Sequence, residues 1–156
     1  MLRLVKDLLV EKGTFVASVS PFAKVIDAAR EMSERKIGSL VVVIDQRVAG
    51  IVTERDLLTR VVAQARDART TEVLAVMTRE VVVCRPDATL DDCKRIISLH
   101  RLRHLPVVDD ENGVAGIVTS GDILQCELAE QGDAIETLRT YLYGSLRKPS
   151  ATSRSN

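Results

Sequence analysis

The amino-acid sequence predicts an α/β (α+β) fold made of two β-α-β-β-α repeats related by pseudo-twofold symmetry, with the sheets packed against each other and the helices outside. The first observation is a repeated phrase: residues 50–58 read GIVTERDLL and residues 116–124 read GIVTSGDIL. The second is that Pro21 aligns with Pro86, and the flanking segments keep the same order of apolar and polar positions. The third is that the change in spacing between the copies falls at a polar turn, where folds tolerate insertions.

Each repeat is expected to begin with a short strand that ends at a proline, because proline favours the first turn of a helix. The next helix has apolar residues at helical spacing, and an apolar hairpin and a second helix opened by threonine follow. In the first repeat the short strand is expected at 15–19 and the hairpin strands at 40–44 and 48–52. The second helix is expected to begin at Thr53, and the apolar face of the first helix is expected to consist of Val25, Ala28, Ala29 and Met32. In the second repeat the short strand is expected at 81–84 and the hairpin strands at 105–108 and 114–118. The second helix is expected to begin at Thr119, and the apolar face of the first helix is expected to consist of Leu90, Cys93, Ile96 and Ile97.

The remaining segments set the domain organisation. One repeat of about 60 residues would have a small core, so the two copies are expected to share one. A short helix precedes the first repeat, and a helical segment and a polar tail follow the second. We therefore assign 1–64 to the N-terminal helix and first repeat, 65–72 to a linker, 73–130 to the second repeat, 131–144 to a C-terminal helix and 145–156 to a disordered tail.

Composition argues against several classes of protein. The chain has 156 residues with 22 basic and 22 acidic side chains, a balance that argues against a broad nucleic-acid-binding face. The three cysteines are widely spaced and form no CxxC or Cys/His cluster, so neither a metal site nor a disulfide framework is expected. The sequence shows no signal peptide and no run of ~20 apolar residues that could span a membrane, so we expect a cytoplasmic protein without a membrane partner.

Over residues 5–128 the chain resembles a tandem pair of cystathionine-β-synthase (CBS) domains, the module also called a Bateman domain. The resemblance is carried by the two repeated phrases, by LRHLPVVDDENG at 102–113 and by the helices that follow Pro21 and Pro86. The layout is similar to that of small stand-alone bacterial CBS-pair proteins. The resemblance implies an adenosyl ligand (AMP, ADP, ATP, NAD(H) or S-adenosylmethionine) between the paired sheets, no required cofactor, and a disc-like homodimer formed through the helices.

The resemblance also implies that the two [ST]-x-x-D segments contact ribose and phosphate, through Thr53 with Asp56 and through Thr119 with Asp122. The start of a helix favours phosphate through its free backbone N–H groups and its dipole. A carboxylate one turn later can accept hydrogen bonds from both ribose hydroxyls. The same spacing is also that of a capping box, and the segment 89–92 before a core helix is a third example. Both interpretations stay open at the level of sequence.

Four further residues are candidates for phosphate contacts. The resemblance implies that the positions just before the L-P-V strand face the phosphates; Arg103 and His104 hold that place, and Gly38 and Ser39 hold it in the first repeat. Arg103 could fork onto phosphate oxygens, whereas the alternative is a solvated helix end whose cations satisfy the dipole. Arg55, one residue before the first aspartate, is another candidate.

Three classes of function are compared. The leading hypothesis is a regulatory, nucleotide-sensing module in which an adenosyl ligand bridges the repeats and changes what an unidentified partner protein contacts. The second is a structural dimerisation module without a ligand. Catalysis is not expected, because the sequence contains no GxSxG, HExxH, P-loop or GxGxxG motif and Ser120 has no positioned base.

Overall fold

The structure is a computed structural model that describes residues 3–143, with side chains up to residue 138. The described chain forms two compact units, which meet in sequence between Ser120 and Gly121. In order, the elements of the described chain are α1 (Val5–Lys12), β1 (Ser18–Val19), α2 (Val25–Arg35), β2 (Ser39–Ile44), β3 (Arg47–Thr53), α3 (Glu54–Asp56, continued by a π-helix at Leu57–Val62), a 3-10 turn (Val73–Ala75), α4 (Leu90–His100), β4 (His104–Val108), β5 (Val114–Thr119) and α5 (Ser120–Tyr143). The predicted tail, 145–156, lies outside the described residues.

The first repeat contains a three-stranded sheet in the order β1-β2-β3. Strand β1 runs parallel to β2, and β2 runs antiparallel to β3. The hairpin turns through Asp45 and Gln46, which both have positive φ, at 49° and 64°. This is the two-residue turn whose twist matches that of antiparallel strands.

The second repeat has the same hairpin, formed by β4 and β5. Each hairpin carries a register shift at the same place, between Val42 and Val43 in the first copy and between Val107 and Val108 in the second. The second turn is longer and includes Asn112, with φ 65°. The predicted length change at the turn and the predicted α/β duplication are therefore confirmed.

The two hairpins meet through a reciprocal pair of backbone hydrogen bonds. The Val48 N–H donates to the Asn112 carbonyl at 3.2 Å, and the Val114 N–H donates to the Gln46 carbonyl at 3.3 Å. In the alignment of the repeats, Val48 matches Val114 and Gln46 matches Asn112. The two hydrogen bonds are thus equivalent, and the pseudo-twofold axis that relates the repeats exchanges one for the other.

The first strand of each repeat is shorter than predicted. The expected strand at 15–19 is reduced to Ser18–Val19, and the expected strand at 81–84 is reduced to a single parallel bridge between Cys84 and Val107. Cys84 makes both bonds of that bridge, to Pro106 and Val108 at 3.0 Å each. A proline follows two residues later in both copies, and because proline has no N–H it cannot extend the ladder.

Each repeat is completed by a segment from elsewhere in the chain. The Val5 N–H, at the start of α1, donates to Ala88 in the second repeat at 2.9 Å. The Val73 N–H, just after the linker, donates to Ala23 in the first repeat at the same distance. We call 3–9 and 71–77 the crossing segments. In the assignment made from the sequence, residues 3–9 are grouped with the first repeat, residues 71–72 with the linker and residues 73–77 with the second repeat; the hydrogen bonds above join each segment to the opposite repeat.

The crossing segments supply apolar side chains to the core. The core cluster of the first repeat consists of Val25, Ala28, Met32, Leu40, Val42, Val52, Val61, Val73, Val76 and Met77. In the other crossing segment Val5, Leu8 and Leu9 are buried. The repeated glycines lie beneath these segments, Gly50 under Met77 and Gly116 under Leu9. The space above both glycines is thus filled by the protein's own chain.

The second helices of the two repeats differ. After Asp56 the first widens into a π-helix, so that the Ala63 N–H bonds to the Leu58 carbonyl at 2.9 Å. The second is α5, which continues without a break through the predicted boundary between 130 and 131. No proline interrupts residues 121–143, and a helix accepts Gly132 at a cost of about 1 kcal/mol. None of the helices within residues 3–143 has the length and apolar content needed to cross a membrane.

Candidate functional site

Thr53 and Asp56 lie where β3 meets α3, and they close on each other as a capping box. The Thr53 N–H and hydroxyl both donate to Asp56 Oδ2, at 2.9 and 2.8 Å. In return the Asp56 N–H donates to the Thr53 hydroxyl oxygen at 3.3 Å. Asp56 is only 8% exposed. Asp56 Oδ2 therefore accepts from the Thr53 N–H and hydroxyl, while the Thr53 oxygen satisfies the Asp56 N–H, as in the capping alternative.

The other oxygen of Asp56 faces Arg60, one turn further along the helix. Asp56 Oδ1 lies 3.5 Å from Arg60 Nε. Arg60 Nη1 in turn donates to the carbonyls of Val76 and Met77, at 2.8 and 3.0 Å. The carboxylate thus helps hold the guanidinium that ties the second helix to the crossing segment. Asp56 supports the fold whether or not it also contacts a ligand.

Ser39 and Arg55 flank this junction. Ser39 is 6% exposed, and its Cα is the partner of Thr53 in the β2–β3 register, so the two predicted residues are neighbours. Arg55 is exposed, and within the described chain its side chain forms no ion pair. The structure therefore brings Ser39, Thr53 and Asp56 together and leaves Arg55 at the surface beside them.

Arg103 reaches the same place from the second repeat. Arg103 Nη2 donates to Oε1 of Glu54 at 2.8 Å, and Glu54 is the residue that follows Thr53. Both side chains are 58% exposed. The pair joins the two repeats beside the capping box, so a predicted phosphate contact of the second repeat lies next to the predicted ribose contacts of the first.

The second repeat presents the equivalent junction. His104 is half-buried, and its Cα pairs with Thr119 in the same register that joins Ser39 to Thr53. The Ser120 N–H donates to the Arg103 carbonyl at 3.1 Å. Asp122 lies in the first turn of α5. The predicted residues of this repeat thus follow the order and register of the first.

The third Thr-x-x-Asp segment shows what the spacing does by itself. The Thr89 hydroxyl donates to Asp92 Oδ2 at 2.6 Å, and the Asp92 N–H donates back at 3.0 Å. The Thr89 hydroxyl, and then Arg95, hold the pKa of Asp92 below its ordinary value of 3.8. This cap starts α4, outside both junctions, so the motif geometry alone does not identify a ligand site.

Sequence reasoning missed Glu54. It is a variable position of the repeated phrase, occupied by Ser120 in the second copy. A signal was present, because the aligned repeats place an acid at 54 and a cation at 103, each opposite a residue without charge. Recognising that the two charges meet required the geometry of the pseudo-twofold axis.

A cavity of about 560 Å³ lies at the turn end of the hairpins. Its lining residues are Ile44, Asp45, Arg47, Val48, Ala49 and Asn112. None of the predicted site residues contributes to it. Among residues 3–143, no three His, Cys, Asp or Glu side chains come together in a way that could ligate a metal ion.

Comparison with known proteins gives a consistent result. The sequence profile of the CBS domain matches residues 5–63 and 72–128. The chain is 35% identical over 127 residues to the CBS domain-containing protein YhcV of Bacillus subtilis, covering 81% of this chain and 87% of that protein. It is 33% identical over 125 residues to the mitochondrial CBS domain-containing protein CBSX3 of Arabidopsis thaliana, covering 77% of this chain and 60% of that protein.

A solved structure extends the comparison to a bound ligand. The CBS domain pair of protein MJ0100, determined in complex with 5′-methylthioadenosine and S-adenosyl-L-methionine, superimposes with a TM-score of 0.75 at 27% identity. The superposition covers 83% of this chain and 99% of that one. The fold described above is therefore one on which adenosyl compounds have been observed.

Proposed function

This chain belongs to the CBS domain family as a tandem pair, and from that premise we propose that it binds an adenosyl ligand, such as AMP, ADP, ATP or NAD(H), and regulates a partner protein. The observation that carries the proposal is the meeting of the two repeats at one charged junction. A capping box with a buried carboxylate, Asp56, lies beside a guanidinium, Arg103, that comes from the other repeat. A nucleotide offers hydroxyls for the first and phosphate for the second.

The ligand contacts we propose are divided between the two junctions. Ribose contacts are assigned to Thr53 and Asp56 in the first repeat and to Thr119 and Asp122 in the second. Phosphate contacts are assigned to Arg103, with Ser39, Arg55 and His104 as further candidates. S-adenosylmethionine is included among the ligands because MJ0100 was solved with it.

The geometry of Asp56 limits how it can serve a ribose. Oδ2 already accepts two hydrogen bonds from Thr53, whereas the contact of Oδ1 with Arg60 is longer, at 3.5 Å. A carboxylate offers about four acceptor positions on its two oxygens. Ribose hydroxyls are therefore proposed to donate to Oδ1 while the cap stays closed, so ligand binding and helix capping use different oxygens.

The experiment is a calorimetric and thermal-shift titration with AMP, ADP, ATP, NAD⁺, NADH and S-adenosylmethionine, with GMP as a control. A ligand at 100 times its dissociation constant adds about 2.7 kcal/mol to the free energy of unfolding, which is a visible rise in melting temperature. Asp56→Asn and Asp122→Asn are expected to weaken binding. Asp92→Asn, which alters a cap outside the junctions, is expected to leave binding unchanged.

The outcomes separate the alternatives. A rise with one adenosyl compound that is lost in a single junction variant identifies both the ligand and the repeat that binds it. Flat curves for every ligand at millimolar concentration would contradict the adenosyl proposal. Chemical conversion of a bound nucleotide would contradict a purely regulatory role.

A ligand-free dimerisation module is the second candidate, and exposed apolar side chains favour it. Leu58 and Val62 are 62% and 69% exposed on the second helix of the first repeat. The aligned positions of the second repeat, Leu124 and Leu128, are 55% and 58% exposed. Because both copies expose an apolar pair at the same place, we propose that these helices contact a second copy of the chain.

The oligomeric state tests this candidate. Light scattering of the wild type is expected to give the mass of a dimer, and Leu58→Asp with Leu124→Asp is expected to give that of a monomer. Val10→Asp is the matched control, since Val10 is an 84% exposed apolar residue on α1. A wild type that is monomeric at high concentration would contradict the proposed homodimer.

A further inference from the structure

The ion pair between Glu54 and Arg103 joins two positions that differ between the repeats. The Glu54 N–H donates to the Gly38 carbonyl at 3.0 Å, and the Ser120 N–H donates to the Arg103 carbonyl at 3.1 Å. These equivalent bonds show that Glu54 corresponds to Ser120 and that Gly38 corresponds to Arg103. The first repeat thus has the carboxylate of Glu54 where the second has the hydroxyl of Ser120. It has a glycine, Gly38, where the second has the guanidinium of Arg103.

The Glu54 carboxylate lies over Gly38. A β-carbon on Gly38 would be 3.3 Å from both Cδ and Oε1 of Glu54. The missing side chain therefore leaves the space into which the carboxylate folds on its way to Arg103. The acid at 54 and the cation at 103 form the ion pair, and the glycine at 38 leaves room for the carboxylate.

Arg103 is thereby held by an anion that belongs to the protein. Guanidinium groups bind carboxylate and phosphate through the same fork of N–H donors, so the two anions compete for one partner. Both side chains of the pair are 58% exposed. An ion pair of that exposure contributes little to stability, and a phosphate can displace the carboxylate at small cost.

We propose that Glu54 is an internal competitor for the phosphate of the ligand, and that it sets how strongly the site discriminates between phosphorylated and uncharged adenosyl compounds. This inference rests on the proposed function. In the ligand-free protein Arg103 is neutralised by Glu54. The pair uses Nη2 of Arg103, so a phosphate that takes the fork of N–H donors including Nη2 displaces Glu54, and the released carboxylate then lies near the phosphate and opposes it. An adenosyl ligand without phosphate leaves the pair intact.

The competition makes a specific demand on the ligand. A single phosphate must replace one carboxylate, whereas a longer phosphate chain offers more oxygens to the same guanidinium. Glu54 therefore lowers the affinity of the site for all phosphorylated ligands and leaves its affinity for adenosine unchanged. The second repeat has Ser120 in place of the acid, so the competition acts at one junction and makes the two repeats unequal.

The test is isothermal titration of the full chain with AMP and with adenosine, comparing wild type, Glu54→Gln and Glu31→Gln. Glu31 pairs with Arg35 on α2, so its variant removes the same charge from another exposed ion pair. Glu54→Gln is expected to bind AMP about two- to fivefold more tightly, the range set by an exposed pair. Adenosine affinity is expected to stay unchanged, and Glu31→Gln is expected to behave as the wild type.

A second variant makes the test independent of the first. Arg103→Met removes the contested cation, so it is expected to weaken AMP binding and to abolish any gain from Glu54→Gln in the double variant. Unchanged or weaker AMP binding by Glu54→Gln, or an equal gain for adenosine, would overturn this role while leaving the proposed function standing. Absence of binding of AMP and adenosine by the wild type and every variant would overturn this role, and the proposed function fails with it only if ADP, ATP, NAD(H) and S-adenosylmethionine also fail to bind.

Discussion

A β-carbon on Gly50 would lie 2.9 Å from the carbonyl oxygen of Thr78. That carbonyl cannot easily withdraw, because Thr78 and Ile51 exchange two backbone hydrogen bonds, at 2.8 and 3.0 Å. The Met77 sulfur would be closer still, at 2.7 Å. The repeated glycine is thus required by the crossing segment that packs on it.

We predict that Gly50→Ala destabilises the protein by about 1–3 kcal/mol, the usual cost of overpacking a core. Gly116→Ala is expected to cost less, since its nearest neighbours are the terminal methyl groups of Leu9 rather than a backbone oxygen. Urea unfolding followed by circular dichroism measures both. Equal losses would indicate that the backbone at Thr78 yields as readily as a side chain.

Gly132→Ala is predicted to have the opposite effect. Gly132 lies within α5, and a β-carbon there would meet nothing within 4 Å. Alanine is a better helix former than glycine, so the free energy of unfolding is expected to rise by about 0.5–1 kcal/mol. The same urea titration checks the sign, and a loss of stability would show that this part of α5 is in contact with another surface in solution.

Asp56→Asn is predicted to destabilise the protein even without a ligand. The change weakens the cap on Thr53 and the contact with Arg60, and loss of such a cap costs about 0.5–2 kcal/mol. The measurement is urea unfolding in nucleotide-free buffer. A variant as stable as the wild type that has nonetheless lost ligand binding would assign Asp56 to the ligand alone.

The stabilisation that the cap at Thr89 provides is predicted to decrease at low pH. The Thr89 hydroxyl, followed by Arg95, lowers the pKa of Asp92 below 3.8, so the folded state binds its proton less readily than the unfolded state. The contribution of Asp92 is therefore full above the unfolded pKa and is lost as the pH falls through the folded one. The stability difference between wild type and Asp92→Asn is expected to shrink in that range. A difference independent of pH would contradict the lowered pKa.

The Cys84 thiol is predicted to be unreactive in the folded protein. A hydrogen bond with the Cys93 thiol, and then burial, raise the pKa of Cys84, and the thiolate is the reactive form. Labelling with a thiol reagent at pH 8, mapped by mass spectrometry, is expected to modify Cys84 only as fast as the protein opens. Rapid labelling under native conditions would contradict the buried, hydrogen-bonded state.

The duplicated architecture could be predicted because periodic signals are local. Apolar spacing, prolines and turn residues report on neighbours in the chain, and the hairpins and helices agree with them. The shortened first strands and the unbroken α5 were not predicted. The length of the strands depends on where a proline removes the backbone N–H that pairing needs, and the continuity of α5 depends on the small loss of helix stability caused by Gly132. Ser39 beside Thr53 follows from register, whereas the Glu54–Arg103 pair depends on how two separate repeats face each other, which no local pattern records.

The crossing of α1 onto the second repeat also fixes the order in which the protein can mature during synthesis. The crossing segment that leaves the ribosome first is the one whose partners are made late, since Val5 bonds to Ala88 and Leu9 packs on Gly116. Its apolar face must wait unprotected until most of the chain has emerged, and contacts so distant in sequence form slowly. The first repeat closes sooner, as soon as residues 73–77 appear. Val5, Leu8 and Leu9 therefore lack their native partners until residues 88–116 have been synthesised, and exposed apolar surface of this kind favours aggregation of incomplete chains.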